Sequence, residues 1–245
     1  MIYITGDTHG DFSRFDSDKF SNLTKDDSMI ICGDFGGIWD DNKKSKYEKD
    51  LLKRLSNKKF TTLFVDGNHE NFDRLYKFPV IKWKGGKVHK ITSSIFHLMR
   101  GEVYEIDGKK IFTFGGASSH DIKDGILNIN EEDLIEEYNK RNALFRIRNY
   151  TWWDLELPTP EELENGLINL EKNNYKVDYI ISHCAPTSIQ NAFNKYYNVD
   201  RLTKYFEDLK DKVEFKKWYF GHYHKNDNKM FTNYECLYDN ITEVK

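Results

Sequence analysis

Cysteine and proline are both scarce in this chain, at three and four residues of 245. Cys32, Cys184 and Cys236 form no C-x-x-C pair and are odd in number, which argues against a disulfide framework and a structural zinc knuckle. Each is expected to pack as a small hydrophobe near a strand end. No apolar run approaches the roughly 20 residues that a membrane-spanning helix needs, so no membrane partner is expected. The first apolar run, Ile2-Tyr3-Ile4-Thr5, is too short for a secretion signal and lacks a basic flank. The expected location is therefore the cytoplasm. An excess of one charge sign is missing too: 37 Lys+Arg against 40 Asp+Glu leave −3, which offers no basic field for a nucleic acid. The lysine-rich stretches Asn42-Lys43-Lys44-Ser45-Lys46 and Leu209-Lys210-Asp211-Lys212 read as solvated surface.

What the chain does have is a rhythm of short β-branched and aromatic runs, each closing on Gly, Asp, Asn or His. Residues 2–5 end at Gly6-Asp7, residues 29–32 at Gly33-Asp34, and residues 61–65 at Asp66-Gly67-Asn68-His69. Residues 177–182 end at His183 and residues 218–220 at Gly221-His222. Continuous apolar runs of this length suit strands buried on both faces. Between them, residues 46–55 and 160–170 show helical spacing, the latter with Thr159 as N-cap, Pro160 in the first turn, and Glu161 and Glu162 at the positive end. Alternating strands and helices predict an α/β fold, in which ligands bind beyond the carboxyl ends of the strands. Asp107-Gly108, set between apolar runs, predicts a hairpin within a strand cluster over residues 88–114. Hairpin-like strands are also expected over residues 229–244. The stretch from 118 to 158 breaks the rhythm and is expected to be an insertion or cap on a single domain spanning 1–245.

Five polar blocks fall at these strand ends: Asp7-Thr8-His9, Gly33-Asp34, Gly67-Asn68-His69-Glu70, Ser182-His183 and Gly221-His222-Tyr223-His224. Taken singly each is weak, because Asp7 alone is an ordinary turn residue and His183 alone an ordinary structural histidine. Together they hold five of the eight histidines, all at the same kind of terminus. Oxygen and imidazole donors without thiolate favour Mn, Fe, Zn or Ni, and the two oxygens of a carboxylate such as Asp34 can serve two ions. Glycines before Asp7, Asp34, Asn68 and His222 are expected where the backbone turns sharply.

In this order the blocks resemble the calcineurin-like metallophosphoesterase superfamily, over residues 7–224. The resemblance implies a four-layer α/β/β/α sandwich of two mixed β-sheets flanked by helices. It implies two metal ions, Mn2+ being expected: Asp7, His9 and His224 on the first, Asn68, His183 and His222 on the second, and Asp34 bridging. It places His69 outside the metal shell, near the leaving group. Two ions about 3.5–4 Å apart can share a hydroxide, lower its pKa and aim it at phosphorus, while both neutralise the developing charge. His69 then protonates or stabilises the leaving oxygen. One departure stands out. The protein Ser/Thr phosphatase branch resembles G-D-x-x-D-R-G at the second block, and Gly37 and Ile38 replace its later Asp and Arg. That leaves the orientation of His69 open among Glu70, Asp11 and Asp40.

Phosphate contacts are sought elsewhere: Arg100, Arg146 and Arg148, and His120 in the loop Gly115-Gly116-Ala117-Ser118-Ser119-His120-Asp121. Trp152-Trp153 is expected to pack a cap against the body, with a stacking wall for a nucleobase as the other reading. The function these residues favour is a metal-dependent phosphoesterase acting on a small-molecule phosphomono- or phosphodiester, such as a nucleotide. A protein Ser/Thr phosphatase, a nuclease of the same fold and a non-catalytic metal-binding scaffold are the alternatives. Missing phosphatase residues, missing basic charge and a complete ligand set weigh against them in turn.

Overall fold

The computed structural model describes residues 1–40 and 45–244. Residues 42–44 of the first lysine-rich stretch lie outside that set; in the second, Lys210 is half-buried and paired with Glu207 and Asp211, and Leu209 packs in the core, because the stretch closes an amphipathic helix.

The amino-terminal half builds a seven-stranded sheet. Its strands are β1 (Ile2–Thr5), β2 (Ser28–Ile31), β3 (Thr61–Phe64), β4 (Val80–Trp83), β5 (Gly86–Lys90) and β6 (Ile95–Leu98). Helix α1 (Lys46–Ser56) and the single turn α2 (Phe72–Leu75) accompany them. Strands β1, β2, β3 and β6 run parallel in that order, and β5 and β4 add antiparallel strands at one edge. The second sheet holds β7 (Glu102–Ile106) and β8 (Lys109–Phe114), joined through Asp107 and Gly108. Both turn residues have positive φ, 51° and 68°, the conformation that a two-residue hairpin of native twist requires.

Next come β9 (Gly125–Leu127), α3 (Glu132–Lys140) and β10 (Phe145–Ile147), whose strands pair only with each other. These lie inside the stretch that breaks the strand–helix rhythm. Helix α4 (Pro160–Lys172) starts at a full capping box, Thr159 and Glu162 each bonding the other's backbone amide. Strand β11 (Tyr179–Ser182), α5 (Thr187–Phe193), α6 (Arg201–Lys210), β12 (Lys217–Phe220) and β13 (Tyr234–Cys236) complete the second sheet. Strands β8, β11, β12 and β13 are parallel neighbours.

The last strand, β14 (Ile241–Val244), pairs antiparallel with β1. The closing strands therefore form no hairpin: β13 extends one sheet and β14 the other. Their apolar content is legible locally, but their partners lie in different sheets.

Successive side chains of each central strand face opposite layers, so three apolar layers result. Ile30, Leu63 and Leu98 meet Ile111, Ile181 and Tyr219 between the sheets. Met29, Ile31 and Phe64 face Leu51, Leu52 and Leu55 of α1. Phe112, Phe114 and Trp218 face Leu170, Leu202 and Phe206 of the helices on the other side. Helix, sheet, sheet, helix is the expected four-layer order. All three cysteines are buried and free, and burial raises each thiol pKa, consistent with their packing role. No described helix is long and apolar enough to cross a membrane.

Candidate metal centre

The parallel strands of both sheets direct their carboxyl ends to one side, and all five polar blocks gather there. Asp7 and His9 follow β1, Asp34 follows β2, Asn68 and His69 follow β3, His183 follows β11, and His222 and His224 follow β12. The loop after β8 brings Ser119, His120 and Asp121 to the same side.

Asp7, His9, Asp34 and His224 form one donor group, with ligand atoms all within 4.8 Å of one another. His9 Nε2 lies 3.2 Å from His224 Nε2, and His224 Nε2 lies 3.2 Å from Asp7 Oδ2. Two imidazole nitrogens sharing one ion at about 2.1 Å each would stand about 3 Å apart, so the spacing fits a divalent ion. The second group is built around His183, whose Nε2 is 3.2 Å from Asn68 Oδ1 and whose ring centroid is 4.9 Å from that of His222. His183 Nδ1 lies 2.7 Å from the Cys32 carbonyl. A carbonyl can only accept, so Nδ1 carries the proton and Nε2 keeps its lone pair for the site.

Asp34 stands between the groups, Oδ2 3.9 Å from His9 Nε2 and Oδ1 3.5 Å from His183 Nε2. Backbone amides fix both buried carboxylates: His69 N donates to Asp34 Oδ1 at 2.8 Å, and His222 N donates to Asp7 Oδ1 at 2.9 Å.

The backbone is bent at the candidate ligands themselves. His9, Asp34, His222 and His224 have φ of 45°, 45°, 68° and 49°. Non-glycine residues held there cost on the order of 1 kcal/mol or more each, a cost expected where function dictates the conformation. The neighbouring glycines answer a different need. A Cβ on Gly67 would sit 1.9 Å from Asp34 Oδ1, and Gly67 has no positive φ. Close approach of the carboxylate, rather than a sharp turn, demands glycine there. Gly33 meets both demands, with φ of 101° and the His183 ring 2.1 Å from where its Cβ would be.

Burial favours neutral imidazole at His222, where the surrounding histidines add to the effect, and at His120. Neutral imidazole is the form that binds metal. Burial pushes the Asp7 carboxyl up, but His183, His224 and the His222 amide outweigh it and leave the pKa lowered. His224 is raised in turn by its hydrogen bond to Asp7.

A cleft of about 550 Å³ opens beside this centre, lined among others by His9, Trp39, Tyr47, His69 and Arg146. It shares His9, Gly10, Tyr47 and Leu51 with a neighbouring cleft that reaches Arg54 and Lys58. Of the basic residues expected at substrate, Arg146 lines the cleft. His120 lies against the second group, Nε2 2.6 Å from His222 Nε2, with its ring packed on Tyr197. Arg100 does not serve: its guanidinium is buried and fully engaged by Asp66, Glu162 and the Leu155 carbonyl. Arg148 turns away to pair with Asp154 and lies over Trp152. Trp152 and Trp153 are buried, and Trp153 Nε1 donates to Asp73 Oδ2 at 2.9 Å. Trp39 and Tyr47 are the aromatic residues at the cleft.

Of the groups considered for orienting His69, Glu70 Oε1 instead accepts the Phe35 amide at 2.7 Å. Asp11 takes the Ser13 amide and Asp40 the Ser45 amide.

Sequence reasoning missed one chain of contacts. Asn68 Nδ2 donates to Ser119 Oγ at 3.2 Å, and Ser119 Oγ donates to Glu156 Oε2 at 2.6 Å. The Ser119 amide completes the grip on Glu156 Oε1 at 3.1 Å. The Asn68 amide nitrogen is thereby held away from His183 and its oxygen toward it. Burial pushes the Glu156 carboxyl up to about 7. Nothing local in the sequence marks Glu156, which lies 37 residues beyond Ser119. Ser119→Ala is expected to weaken divalent-metal binding at the Asn68–His183 group by about 10- to 100-fold, the usual cost of losing a partner that orients a ligand. Calorimetric titration of the metal-stripped protein with Mn2+ reads it, and unchanged affinity would remove this role.

The family model described as calcineurin-like phosphoesterase matches residues 1–226. The chain belongs to that family. Calcineurin-like phosphoesterases are metal-dependent phosphoester hydrolases, and this chain is one. No curated protein matches it. Among solved structures, it is similar to phosphopantetheinyl hydrolase (PptH) from Mycobacterium tuberculosis, at 16% identity and a TM-score of 0.41. That similarity covers 97% of this chain and 87% of the other.

Proposed function

We propose that this chain hydrolyses a small phosphodiester, with a nucleotide as the favoured class, at a two-metal centre served by Mn2+. The observation that carries the reading is Asp34, whose two oxygens face separate donor groups, His9 at 3.9 Å and His183 at 3.5 Å. Asp7, His9 and His224 would hold one ion and Asn68, His183 and His222 the other. When bound, such ions supply Lewis acidity and lower the pKa of water.

The chain's own residues do the rest. Arg146, at the rim of the cleft with His69, binds a phosphoryl oxygen as a charge-assisted donor. His69 donates an N–H hydrogen bond that stabilises the leaving oxygen as negative charge develops on it. Burial lowers the pKa of His69, and Arg146 and His9 add to this, while Asp34 and Asp121 oppose it. Trp39 and Tyr47 offer faces on which a planar group can stack. Ile38, at the position of the phosphatase-branch arginine, is 1% exposed within an apolar cluster, which disfavours a phosphoprotein reading. The segment 118–158 serves as the cap of a single domain.

The test is hydrolysis of bis(p-nitrophenyl) phosphate and p-nitrophenyl phosphate by metal-stripped protein reloaded with Mn2+. The diester is expected to turn over faster. Arg146→Ala is expected to raise KM about tenfold, the loss of one charge-assisted hydrogen bond. Failure to bind two ions, or absence of turnover with both bound, would overturn the proposal.

A further inference from the structure

His120 does not line the cleft that holds His69 and Arg146; it stands against a candidate ligand. Its Nε2 is 2.6 Å from His222 Nε2, with the ring centroids 4.6 Å apart. Its ring also packs on Tyr197 at 4.6 Å, and Tyr197 packs on Tyr223. The preceding residue, Ser119, takes the Asn68 amide, so two consecutive residues of the loop after β8 reach the second donor group. Each neutral imidazole has one N–H and one lone pair, so a hydrogen bond between the two rings has a direction. If His120 donates, the Nε2 lone pair of His222 is used and its own proton sits on Nδ1, which leaves His222 nothing to offer a metal. If His222 donates, its Nδ1 keeps a lone pair. His183 follows the same logic with its nitrogens exchanged, Nδ1 lying 2.7 Å from the Cys32 carbonyl and Nε2 kept for the site.

We propose that His120 is a positioning residue for His222: its Nε2 accepts the His222 Nε2–H, so that His222 offers Nδ1 to the second ion. The inference rests on the two-ion reading above. It takes His120 out of the substrate contacts that the sequence suggests and gives it to the metal centre. The loop after β8 then sets two members of one donor group. Ser119 holds the Asn68 nitrogen away from His183, and His120 fixes the tautomer of His222. A partner on the second ring nitrogen orients a ligating histidine and raises its basicity, and its loss weakens metal binding.

The experiment uses the full chain with 15N-labelled histidine. Ring tautomers are read from two-bond 1H–15N couplings, first in metal-stripped protein and then with Zn2+, a diamagnetic ion; His222→Ala identifies the His222 signals. The His222 proton is expected on Nε2 in both states, with the Zn2+-induced shift on Nδ1. Calorimetric titration with Mn2+ then compares wild type with His120→Ala, His120→Phe and His120→Gln, with Tm recorded for each. Ala and Phe should each weaken one Mn2+ site by about 10- to 100-fold. Phe keeps a ring against Tyr197, which separates the lost bond from lost packing. Gln carries a carbonyl acceptor and should recover part of the affinity. The proposal is overturned by a His222 proton on Nδ1 in the metal-stripped chain, or by a Zn2+-induced shift on Nε2 of His222 or His120. It is also overturned if His120→Phe binds Mn2+ as wild type does; a raised KM for bis(p-nitrophenyl) phosphate in that variant would return His120 to the substrate. A wild type that binds fewer than two ions would instead bring down the two-ion reading, while the metal-stripped tautomer still decides the direction of the His120–His222 bond.

Discussion

Replacing Asp34 with asparagine is expected to abolish measurable turnover, a loss of about 10³-fold or more, while the protein stays folded. The magnitude follows from what the carboxylate does. Its two oxygens face His9 and His183, so it is the group through which two ions can be held together. Charge stabilisation by metal at the phosphoryl group is worth several kcal/mol, and each 1.4 kcal/mol is about a factor of ten in rate. Asparagine keeps the shape and can still take the His69 amide on its oxygen, a bond of 2.8 Å in the native chain. It loses the negative charge and turns one acceptor into a donor aimed at a metal site. Metal analysis alongside kinetics should show fewer than two ions retained at limiting Mn2+. A variant that keeps two tightly bound ions and more than about a tenth of its rate would show that Asp34 is structural.

Much of the candidate centre is legible in the chain because each candidate ligand follows closely on a strand. Asp7 stands two residues after β1 and His183 one residue after β11, so the apolar runs themselves mark where the polar residues emerge. Local chemistry also reveals the Asp107-Gly108 turn and the Thr159 cap, since both act within a few residues of themselves. What stays hidden depends on contacts between distant segments. Arg100 looks like an available cation, yet its partners Asp66 and Glu162 lie 34 residues before and 62 after it. Only the packing of β6, the loop after β3 and α4 brings them together. The terminal strands fail for the same reason, because an apolar run specifies a strand but not the sheet it joins.

The segment between β8 and α4 shows the limit most sharply. Its irregular pattern reads as a cap, and within it Trp153 donates to Asp73. Yet Ser119 and Glu156 reach the Asn68 amide, and Arg146 enters the cleft. These residues act through tertiary approach to blocks belonging to other strands, and no spacing rule connects them.

Arg100→Ala should cost about 3–5 kcal/mol of stability, as removal of one partner from a buried ion pair does, and lower Tm by roughly 10 °C in a chain of this size. The remaining partner explains the size. Asp66 is fully buried; burial alone would raise its carboxyl pKa, but Arg100 and His97 outweigh that and hold it well below the ordinary 3.8. A carboxyl depressed in the folded state adds stability that is present above its unfolded value and is lost as pH falls through the folded value. Wild-type protein should therefore keep this contribution down to pH 3.8 and lose it only in stronger acid. Without Arg100 the burial cost dominates, the folded carboxyl rises, and the variant should begin to lose stability at higher pH as Asp66 seeks a proton. Urea unfolding across pH 3–7 would display the divergence. Parallel curves, or a rise in KM with unchanged stability, would return Arg100 to the substrate-binding role that its buried guanidinium contradicts.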